Sequence, residues 1–420
     1  MDLEKFVITG GNRLEGVVTI SGAKNSTLSI MAATLLTREK CVLKNIPQLT
    51  DVDTMGEVIR TLGAKVEWEG DNVLYIDSDN FCNYEAPYDL VKKMRASILV
   101  MGPLLARLHK AKISLPGGCA IGARPVDFHL KGFETLGAKI EVESGYIKAE
   151  ANKLKGGDIY LDFPSLGATE NIMMAASLAE GVTRIENAAK DPEIVELGHF
   201  LIKMGAHIEG LGSDVITIRG VKNLKGVEYK IIPDRIEAGT FMIASAITRG
   251  DILIENIDPG LLKPVIVKLE ESGVKIIQGD NFIRAIGPDW VKAVDIKTLP
   301  YPGFPTDMQP QFMALCCIAK GTSVITETVF ENRFVHAGDL RRMGANIKLE
   351  GHSAIVKGVD KLSAAPVMAS DLRGGAALVL AGLVAEGTTE LSRIYHLDRG
   401  YRKIEEKLKA LGADIQRIVE

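Results

Sequence analysis

One cysteine stands in a loop whose composition favours chemistry over packing. Residues 115–127 read LPGGCAIGARPVD, so prolines and glycines end an apolar strand and Cys119 is followed five positions later by Arg124. Such residues permit turns that a regular strand cannot make, and we expect an exposed thiol beside a cation that could hold an anion. The loop lacks the Lys-Ser/Thr pair of a phosphate-binding P-loop and is no dinucleotide fingerprint. Cys119 is therefore either the candidate catalytic residue or an incidental loop cysteine.

Two cations lie where helices are predicted to begin. Lys24 and Arg95 precede apolar residues at helical spacing. Hydrogen-bond acceptors occupy the equivalent positions of four further helices: Ser165, Asp234, Asp307 and Asp371. Helix starts carry free N–H groups and a positive partial charge, so these are potential anion sites that Lys24 and Arg95 would strengthen. Helix capping alone would also explain the four acceptors, and solvated helix ends would explain the two cations.

Further charged residues recur in loops. Arg124, Arg333 and Arg399 occupy corresponding places in three predicted units, although Arg333 and Arg399 taken singly could be surface ion pairs. Asp307 follows the proline-rich stretch 299–306, which predicts a stiff, non-helical mount for one carboxylate. Cations at matching loop ends of two domains would suit a cleft that closes on an anionic substrate.

The elements that position these residues come from one unit repeated six times. A helix-to-strand junction recurs at intervals of 68 to 74 residues, at Gly63, Gly137, Gly205, Gly273, Gly344 and Gly412. Glycine at this point is a natural helix C-cap. A second marker, a helix that turns into an alternating strand, repeats in phase with it. The period is too long for a solenoid and predicts six small α/β subdomains, each read as helix, strand, helix and two strands.

The sixth unit ends one strand short, and the N-terminus supplies a matching segment. Residues 5–10 (KFVITG) resemble residues 214–220 (DVITIRG) and 353–358 (SAIVKG). We therefore expect two domains of three units each, one spanning 22–232 and the other 1–21 plus 233–420. The two chain crossings between them would suit a hinge.

Composition limits the function classes. The 420 residues are 46% hydrophobic and 25% charged with net charge −4, which disfavours a nucleic-acid binder that relies on a basic surface. Five cysteines without a CxxC pair, and histidines without an HxxxH or HExxH pattern, predict neither a disulfide framework nor a metal site. Four of the cysteines are expected to pack in the core: Cys41, Cys82, Cys316 and Cys317. With no signal peptide and no apolar run of membrane-spanning length, we expect a cytoplasmic protein.

These motifs together resemble a known family. The whole chain resembles the bacterial enolpyruvyl transferases that act on UDP-N-acetylglucosamine, through SGAKN (21–25), PGGCAIGARPVD (116–127), FPTDMQ (304–309), ETVFENR (327–333) and DRGY (398–401). The resemblance implies two inside-out α/β barrel domains and inhibition by fosfomycin. It implies transfer of the enolpyruvyl group of phosphoenolpyruvate to the sugar 3′-hydroxyl through a tetrahedral ketal, with release of phosphate, as the first committed step of peptidoglycan synthesis. No cofactor is implied, and we expect a monomer.

The resemblance also implies residue roles. Lys24, Arg124 and Arg399 would bind phosphoenolpyruvate, with Arg95 and Arg373 supporting that charge. The residues implied to contact the nucleotide sugar are Asn25, Ser165, Gly167, Asp307 and Val329, with Arg124, Pro125, Val126 and Asp127 near the uridine end. Asp371 is counted among the substrate-binding residues. Members of the family that carry aspartate in place of the cysteine differ from this chain at Cys119.

The chemistry fits these residue types. A thiol with a reference pKa of about 8.5 stays largely protonated at neutral pH and can donate to the methylene carbon of phosphoenolpyruvate, while remaining reactive enough to add to it. Asp307 would accept or orient the hydroxyl proton. The alternatives are a 5-enolpyruvylshikimate-3-phosphate synthase-like transferase, a catalytically silent UDP-sugar sensor, and an RNA-end-processing relative that the acidic charge balance disfavours.

Overall fold

The structure, a computed structural model, describes residues 4–92, 94–115 and 126–419. Cys119, Arg124 and Pro125 lie outside these residues. The described strands are β1 (Glu4–Thr9), β2 (Glu15–Thr19), β3 (Cys41–Lys44), β4 (Lys65–Glu69), β5 (Val73–Asp77), β6 (Glu85–Ala86), β7 (Lys110–Ser114), β8 (Lys139–Glu143), β9 (Tyr146–Glu150), β10 (Asp158–Tyr160), β11 (Val182–Glu186), β12 (His207–Glu209), β13 (Val215–Arg219), β14 (Glu228–Lys230), β15 (Asp251–Glu255), β16 (Lys275–Gly279), β17 (Phe282–Ile286), β18 (Ile296–Lys297), β19 (Thr322–Thr326), β20 (Asn346–Glu350), β21 (Ser353–Lys357), β22 (Pro366–Met368), β23 (Thr388–Ser392) and β24 (Asp414–Val419).

The described α-helices are α1 (Lys24–Ala33), α2 (Thr50–Thr61), α3 (Tyr88–Val91), α4 (Met101–Leu108), α5 (Asp127–Thr135), α6 (Leu166–Ala176), α7 (Pro192–Met204), α8 (Arg235–Ile247), α9 (Lys263–Glu271), α10 (Gln309–Cys317), α11 (Ala337–Arg342), α12 (Leu372–Gly382) and α13 (Ile404–Ala410). Short 3₁₀ helices cover Thr34–Leu36, Arg95–Val100, Pro259–Leu262, Thr306–Met308 and Ile394–His396.

The strands form six four-stranded sheets with one shared plan. In each sheet an edge strand of two to five residues runs parallel to its neighbour and the remaining pairs are antiparallel, as in the order β10-β11-β13-β12. This arrangement confirms the prediction of six α/β subdomains. The sheets remain separate, and among the described residues none closes into a barrel of its own.

The six junction glycines keep the role that the sequence predicts. All six have positive φ values between 88° and 110°, the left-handed region that disfavours other residues: Gly63, Gly137, Gly205, Gly273, Gly344 and Gly412. Each therefore ends a helix and lets the chain reverse into the next strand, which explains why the motif marks the repeat.

The N-terminal strand completes the sixth sheet. β1 lies between β23 and β24 and pairs antiparallel with both, from Lys5 opposite Ser392 to Thr9 opposite Asp414. The sheet order β22-β23-β1-β24 matches that of the other five. The predicted match between residues 5–10 and the third strands of other units is thus confirmed.

The chain divides into two compact units, each with its own hydrophobic core. Among the described residues, one unit comprises 22–92, 94–115 and 126–232, and the other comprises 4–21 and 233–419. In the second unit α8, α10 and α12 pack against one another. In the first, α4 packs against α6, and the 3₁₀ helix Arg95–Val100 contacts α1. No helix among the described residues has the length and apolar character needed to cross a membrane.

Helices occupy the interior of each unit. Every described residue of α8 and α10 is buried, as are residues 26–33 of α1 and 373–382 of α12. Helices that are apolar on all sides belong in a core, whereas strands with alternating buried and exposed residues cover it. This inside-out arrangement agrees with the predicted fold class.

One interior helix carries a buried carboxyl group. Glu170 of α6 is only 3% exposed. Its pKa is raised to about 8, mainly by burial, with the nearby Glu193 and Asp191 adding to the shift and a hydrogen bond with Ser29 opposing it. Burial also raises the pKa of Glu196, on the neighbouring α7, to about 7. The first unit therefore folds most favourably with Glu170 protonated.

This pKa predicts how stability depends on pH. Because the folded pKa of Glu170 lies above its unfolded value of 4.5, its contribution is fully present below pH 4.5 and is lost as the pH rises through about 8. Glu170→Gln keeps the shape and cannot ionise, so we expect its Tm to fall less than that of the wild type between about pH 6 and pH 9. Scanning fluorimetry measures both, with the exposed Glu67→Gln as the control. Equal falls in the wild type and Glu170→Gln would contradict the prediction.

Candidate functional site

The carboxylate of Asp307 is held by two buried arginines. Nη2 of Arg333 donates to Oδ1 at 2.9 Å, and Nε and Nη2 of Arg373 lie 3.2 and 3.1 Å from Oδ2. The arginine side chains are 2% and 4% exposed, whereas that of Asp307 is 28% exposed. Each carboxylate oxygen can accept more than one hydrogen bond, so Asp307 is held in place and still accessible to a ligand.

Buried aromatic and polar side chains support Arg373. Its guanidinium lies 5.3 Å from the ring centroid of Tyr401. The Tyr401 hydroxyl is 2.8 Å from Oγ1 of Thr240 on α8 and accepts from Nε2 of Gln311 on α10 at 3.2 Å. The helices α8 and α10 therefore hold Tyr401 in place, and Tyr401 in turn restricts the position of the Arg373 guanidinium.

Asp371 caps the helix that carries Arg373. Oδ1 of Asp371 accepts from the amides of Arg373 and Gly374 at 2.9 and 3.1 Å. Burial opposes its ionisation, but the charge of Arg333 and the Gly374 hydrogen bond hold the pKa of Asp371 below its usual range. The capping explanation is therefore sufficient for this residue, while its charge also faces Arg333.

Arg399 lies near His396. Burial lowers the pKa of His396, the charge of Arg399 lowers it further, and Asp371 opposes the shift. Burial also lowers the pKa of the fully buried His336 to about 4, with Arg333 adding to the shift and Asp371 opposing it. Both imidazoles are therefore neutral at physiological pH, and the positive charge around Asp307 comes from arginine.

The alternative explanation of Asp307 as a helix cap does not hold. Asp234 and Asp371 accept N-cap hydrogen bonds, and Ser165 accepts one from the amide of Ala168 at 3.4 Å. Asp307 instead lies inside the 3₁₀ turn Thr306–Met308, and neither this turn nor α10 has a side-chain cap. Asp307 forms ion pairs with Arg333 and Arg373 in place of a capping hydrogen bond. The additional residues 299–305 shift the start of the helix away from the position that a cap would occupy.

Lys24 forms a largely buried ion pair in the other unit. It is the first residue of α1, and its Nζ lies 2.6 Å from Oδ2 of Asp51 in the first turn of α2. The two side chains are 12% and 3% exposed. Lys24 is therefore a positioned cation at a helix start, not a solvated one. Asn25 follows it and is partly exposed.

His129 lies between the other predicted ligands of this unit. Its amide donates to the carbonyl of Val126 at 2.9 Å, and Asp127 begins the same helix, α5. A methyl group added at Gly167 would lie 3.4 Å from Cε1 of His129. The start of α5 and the start of α6 therefore meet at this imidazole. Burial, and then the charge of Arg95, lower the pKa of His129 to about 3, so it is neutral.

The hydrogen bonds of Asn171 fix the His129 tautomer. Oδ1 of Asn171 accepts from the amide of Gly102 at 2.7 Å, and Nδ2 donates to the carbonyl of Ile98 at 2.9 Å. The same Nδ2 lies 3.0 Å from Nδ1 of His129. Nδ1 is therefore the acceptor and Nε2 carries the proton.

The predicted residues thus fall into two groups. The first unit brings Arg95, Val126, Asp127 and Gly167 near His129, with Ser165 capping the helix that carries Gly167 and with Lys24 and Asn25 at the start of α1. The second unit brings Asp307, Asp371, Arg373 and Arg399 together, and Val329 lies in the loop after β19. Sequence reasoning missed Asp51 and His129. The position of His129 two residues after Asp127, on the helix that follows the cysteine loop, was the available signal.

The cysteine predictions are correct for three residues and wrong for one. Cys41, Cys316 and Cys317 are buried, and burial raises the pKa of Cys41 and Cys316 to about 11. Cys82 is exposed, because it lies in the irregular segment between β5 and β6 and not in a strand or helix that faces the core. Within the described residues, no group of three or more His, Cys, Asp or Glu could hold a metal ion.

Comparison with known proteins places the chain in a family. The family described as EPSP synthase (3-phosphoshikimate 1-carboxyvinyltransferase) matches residues 8–408. The chain is 62% identical to UDP-N-acetylglucosamine 1-carboxyvinyltransferase 1 of Caldanaerobacter subterraneus subsp. tengcongensis, over 98% of this chain and 99% of that protein. It is 58% identical to UDP-N-acetylglucosamine 1-carboxyvinyltransferase 2 of Carboxydothermus hydrogenoformans, over 99% and 100%.

Solved structures agree with this assignment. The enolpyruvyl transferase NikO from Streptomyces tendae matches all of this chain and all of its own with a TM-score of 0.90 at 26% identity. EPSP synthase from Acinetobacter baumannii, at 19% identity, shares the fold with a TM-score of 0.77 over 99% of this chain and 100% of its own. The chain belongs to the EPSP synthase family of carboxyvinyl transferases, in which the two curated relatives named for UDP-N-acetylglucosamine share more than half of its residues.

Proposed function

We propose that this protein transfers the enolpyruvyl group of phosphoenolpyruvate to the 3′-hydroxyl of UDP-N-acetylglucosamine and releases phosphate. The observation that carries the proposal is the sequence identity of 62% and 58%, over nearly the whole chain, to two proteins that are named for carboxyvinyl transfer to that sugar nucleotide. A paired lysine at a helix start and a carboxylate between two buried arginines support it.

We further propose that the reaction serves peptidoglycan synthesis, that the protein acts as a monomer, and that it is cytoplasmic. Free thiols at Cys41, Cys82, Cys316 and Cys317 support a reducing compartment.

The proposed reaction is an addition followed by an elimination. The sugar 3′-oxygen bonds to C2 of phosphoenolpyruvate while its proton passes to a base and another proton reaches C3, which gives a ketal with a methyl group. Loss of a methyl proton and cleavage of the C2–O bond to phosphate then restore the double bond. The proton transfers balance, because the proton lost from the methyl group restores the group that protonated C3, and the base passes the hydroxyl proton to the departing phosphate. The protein supplies this proton transfer and charge stabilisation.

The residues divide these tasks in the proposal. Asp307 accepts or orients the hydroxyl proton, because the arginines leave its carboxylate fixed and accessible. Lys24, Arg124 and Arg399 hold the phosphate and carboxylate of phosphoenolpyruvate, with Arg95 and Arg373 supporting that charge. Cys119 donates to the methylene carbon. The nucleotide sugar contacts Asn25, Ser165, Gly167, Val329 and Asp371 and, near its uridine end, Pro125, Val126 and Asp127.

Phosphate release tests the proposal directly. Mixing the protein with phosphoenolpyruvate and UDP-N-acetylglucosamine should release phosphate continuously, and replacing the sugar nucleotide with shikimate 3-phosphate should release none. Turnover with shikimate 3-phosphate would support the sister activity that the family description names. Binding of the sugar nucleotide without phosphate release would indicate a sensor.

Removing the Asp307 carboxylate should impair turnover more than binding. Asp307→Ala deletes the hydroxyl acceptor, so we expect kcat to fall by about 10²- to 10⁴-fold while the Kd for UDP-N-acetylglucosamine rises far less. Phosphate release gives kcat and titration calorimetry gives Kd. Asp295→Ala removes a carboxylate of the same unit that accepts from the amide of Val324 and has no ion pair with Arg333 or Arg373 among the described residues, so it should keep wild-type kcat. A kcat for Asp307→Ala within threefold of wild type would remove this residue from the mechanism.

Lys24 can be tested separately from its structural pairing. Lys24→Met removes a proposed phosphoenolpyruvate ligand and also deprives the buried Asp51 of its lysine, which is expected to destabilise the fold by about 3–5 kcal/mol. Adding Asp51→Asn should restore most of the Tm while KM for phosphoenolpyruvate stays at least tenfold raised. Recovery of both stability and KM in the double variant would show that Lys24 serves the fold alone.

Fosfomycin should distinguish Cys119 from the other cysteines. We expect this epoxide to alkylate Cys119 and not Cys82, although Cys82 is exposed, because site binding and not access controls the reaction. Peptide mass mapping after treatment identifies the modified residue. Cys119→Asp should stay active and resist the compound, whereas Cys119→Ala should nearly abolish turnover. Equal labelling of both thiols would contradict a special reactivity at Cys119.

A further inference from the structure

The residue that follows the central strand of each sheet can be compared between the six repeats. In three repeats this residue is an asparagine with φ between 55° and 62°: Asn45, Asn187 and Asn256. Each side-chain amide donates to the carbonyl that follows the short parallel strand of the same sheet, on Ile231, Leu161 and Ile20 respectively, at 2.7 to 2.9 Å. The asparagine therefore joins the ends of two neighbouring strands.

The fifth repeat joins these two strand ends through a different residue. Glu327 occupies the asparagine position after β19 and is absent from the residues with positive φ. The joining hydrogen bond comes from the next residue, since Oγ1 of Thr328 donates to the carbonyl of Thr298 at 2.6 Å. Because another residue joins the strand ends, the Glu327 carboxylate has a different role.

The Glu327 carboxylate accepts four hydrogen bonds from two loops. Oε1 of Glu327 accepts from Oγ1 of Thr298 at 2.8 Å and from the amides of Val329 and Phe330 at 2.8 and 3.1 Å. Oε2 accepts from Oγ1 of Thr306 at 2.9 Å. Glu327 is 1% exposed, and among the described residues no lysine or arginine forms an ion pair with it. Neutral donors alone satisfy this buried acceptor.

The segment between Thr298 and Thr306 is longer than the corresponding segments before Ser165 and Asp234. Three residues separate Leu161 from the capping Ser165, and two separate Ile231 from Asp234, whereas seven separate Thr298 from Thr306. The inserted residues 299–305 detach the start of the fifth helical segment from its sheet. Glu327 spans this insertion, because one carboxylate contacts Thr298 at its beginning and Thr306 at its end.

We propose that Glu327 is a positioning residue for the transfer: its carboxylate fixes the turn that carries Asp307 relative to the loop that carries Val329. The inference rests on the proposed function. Thr306 adjoins Asp307, so a displaced Thr306 moves the carboxylate that orients the sugar hydroxyl. A displacement of about 1 Å in a reacting group can lower a rate by about 10²-fold.

The test uses steady-state phosphate release with both substrates. Glu327→Ala removes all four hydrogen bonds, and we expect kcat to fall by about 10²-fold. Thr306→Val removes only the bond to Oε2, so kcat should fall by about tenfold while KM for phosphoenolpyruvate stays within twofold. Glu327→Gln preserves the shape, and its amide can donate to the Thr306 hydroxyl, so it should recover kcat to within fivefold of wild type.

A matched control separates positioning from stability. Thr326→Val removes a hydroxyl one residue away that pairs with Ser353 and not with the Asp307 turn, so its kcat should equal that of the wild type. Tm values for all variants show whether lost activity follows lost folding. Equal kcat for Thr306→Val and Thr326→Val, or a fall for Glu327→Ala explained by its unfolded fraction, would overturn the inference. Wild-type protein that releases no phosphate would instead refute the proposed function itself.

Discussion

The burial of whole helices in the interior of each unit is the constraint on which the functional residues depend. Because α8, α10 and most of α1 and α12 face other protein atoms on every side, their middle turns cannot present side chains to a ligand. Only their first turns, whose N–H groups lack partners within the helix and carry a positive partial charge, remain for recognition. Lys24 and Arg373 both lie in a first turn, as this constraint requires.

Six copies of one subdomain supply six such helix starts, and the differences between the copies carry the chemistry. In the third and fourth copies, Ser165 and Asp234 act as helix caps that accept backbone hydrogen bonds. The fifth copy adds a proline-rich insertion, and Asp307 leaves the capping position to pair with Arg333 and Arg373. The common frame therefore provides rigidity, and local departures from it provide specificity.

The repeat frame was predictable from the sequence because its signals are local. The six junction glycines need left-handed backbone, and the N-terminal segment matches its sister strands in pattern. Short parallel strands such as β6 and β18, each two residues long, were not predictable, because two residues carry no alternation. The exposure of Cys82 was also missed, since a turn residue carries no periodicity to indicate which way it faces.

The pairings within the candidate site depend on tertiary structure. Asp307 and Arg373 are separated by 66 positions, and nothing periodic connects them. Asp51 meets Lys24 only because α1 and α2 pack together, and His129 is held neutral by burial and by Arg95. The sequence could indicate which residue types lie at helix starts, but packing decides which of them meet.

The place of β1 in the sixth sheet has a consequence for biogenesis. This strand is synthesised before every other described strand, yet its two neighbours, β23 and β24, are synthesised after all the others. The nascent chain must therefore carry an unpaired strand edge until β23 and β24 have been synthesised, while the unit built from residues within 22–232 has all of its strands much earlier. Co-translational folding of the two units is thus necessarily asynchronous, and chaperone protection of the early edge matters most for the second.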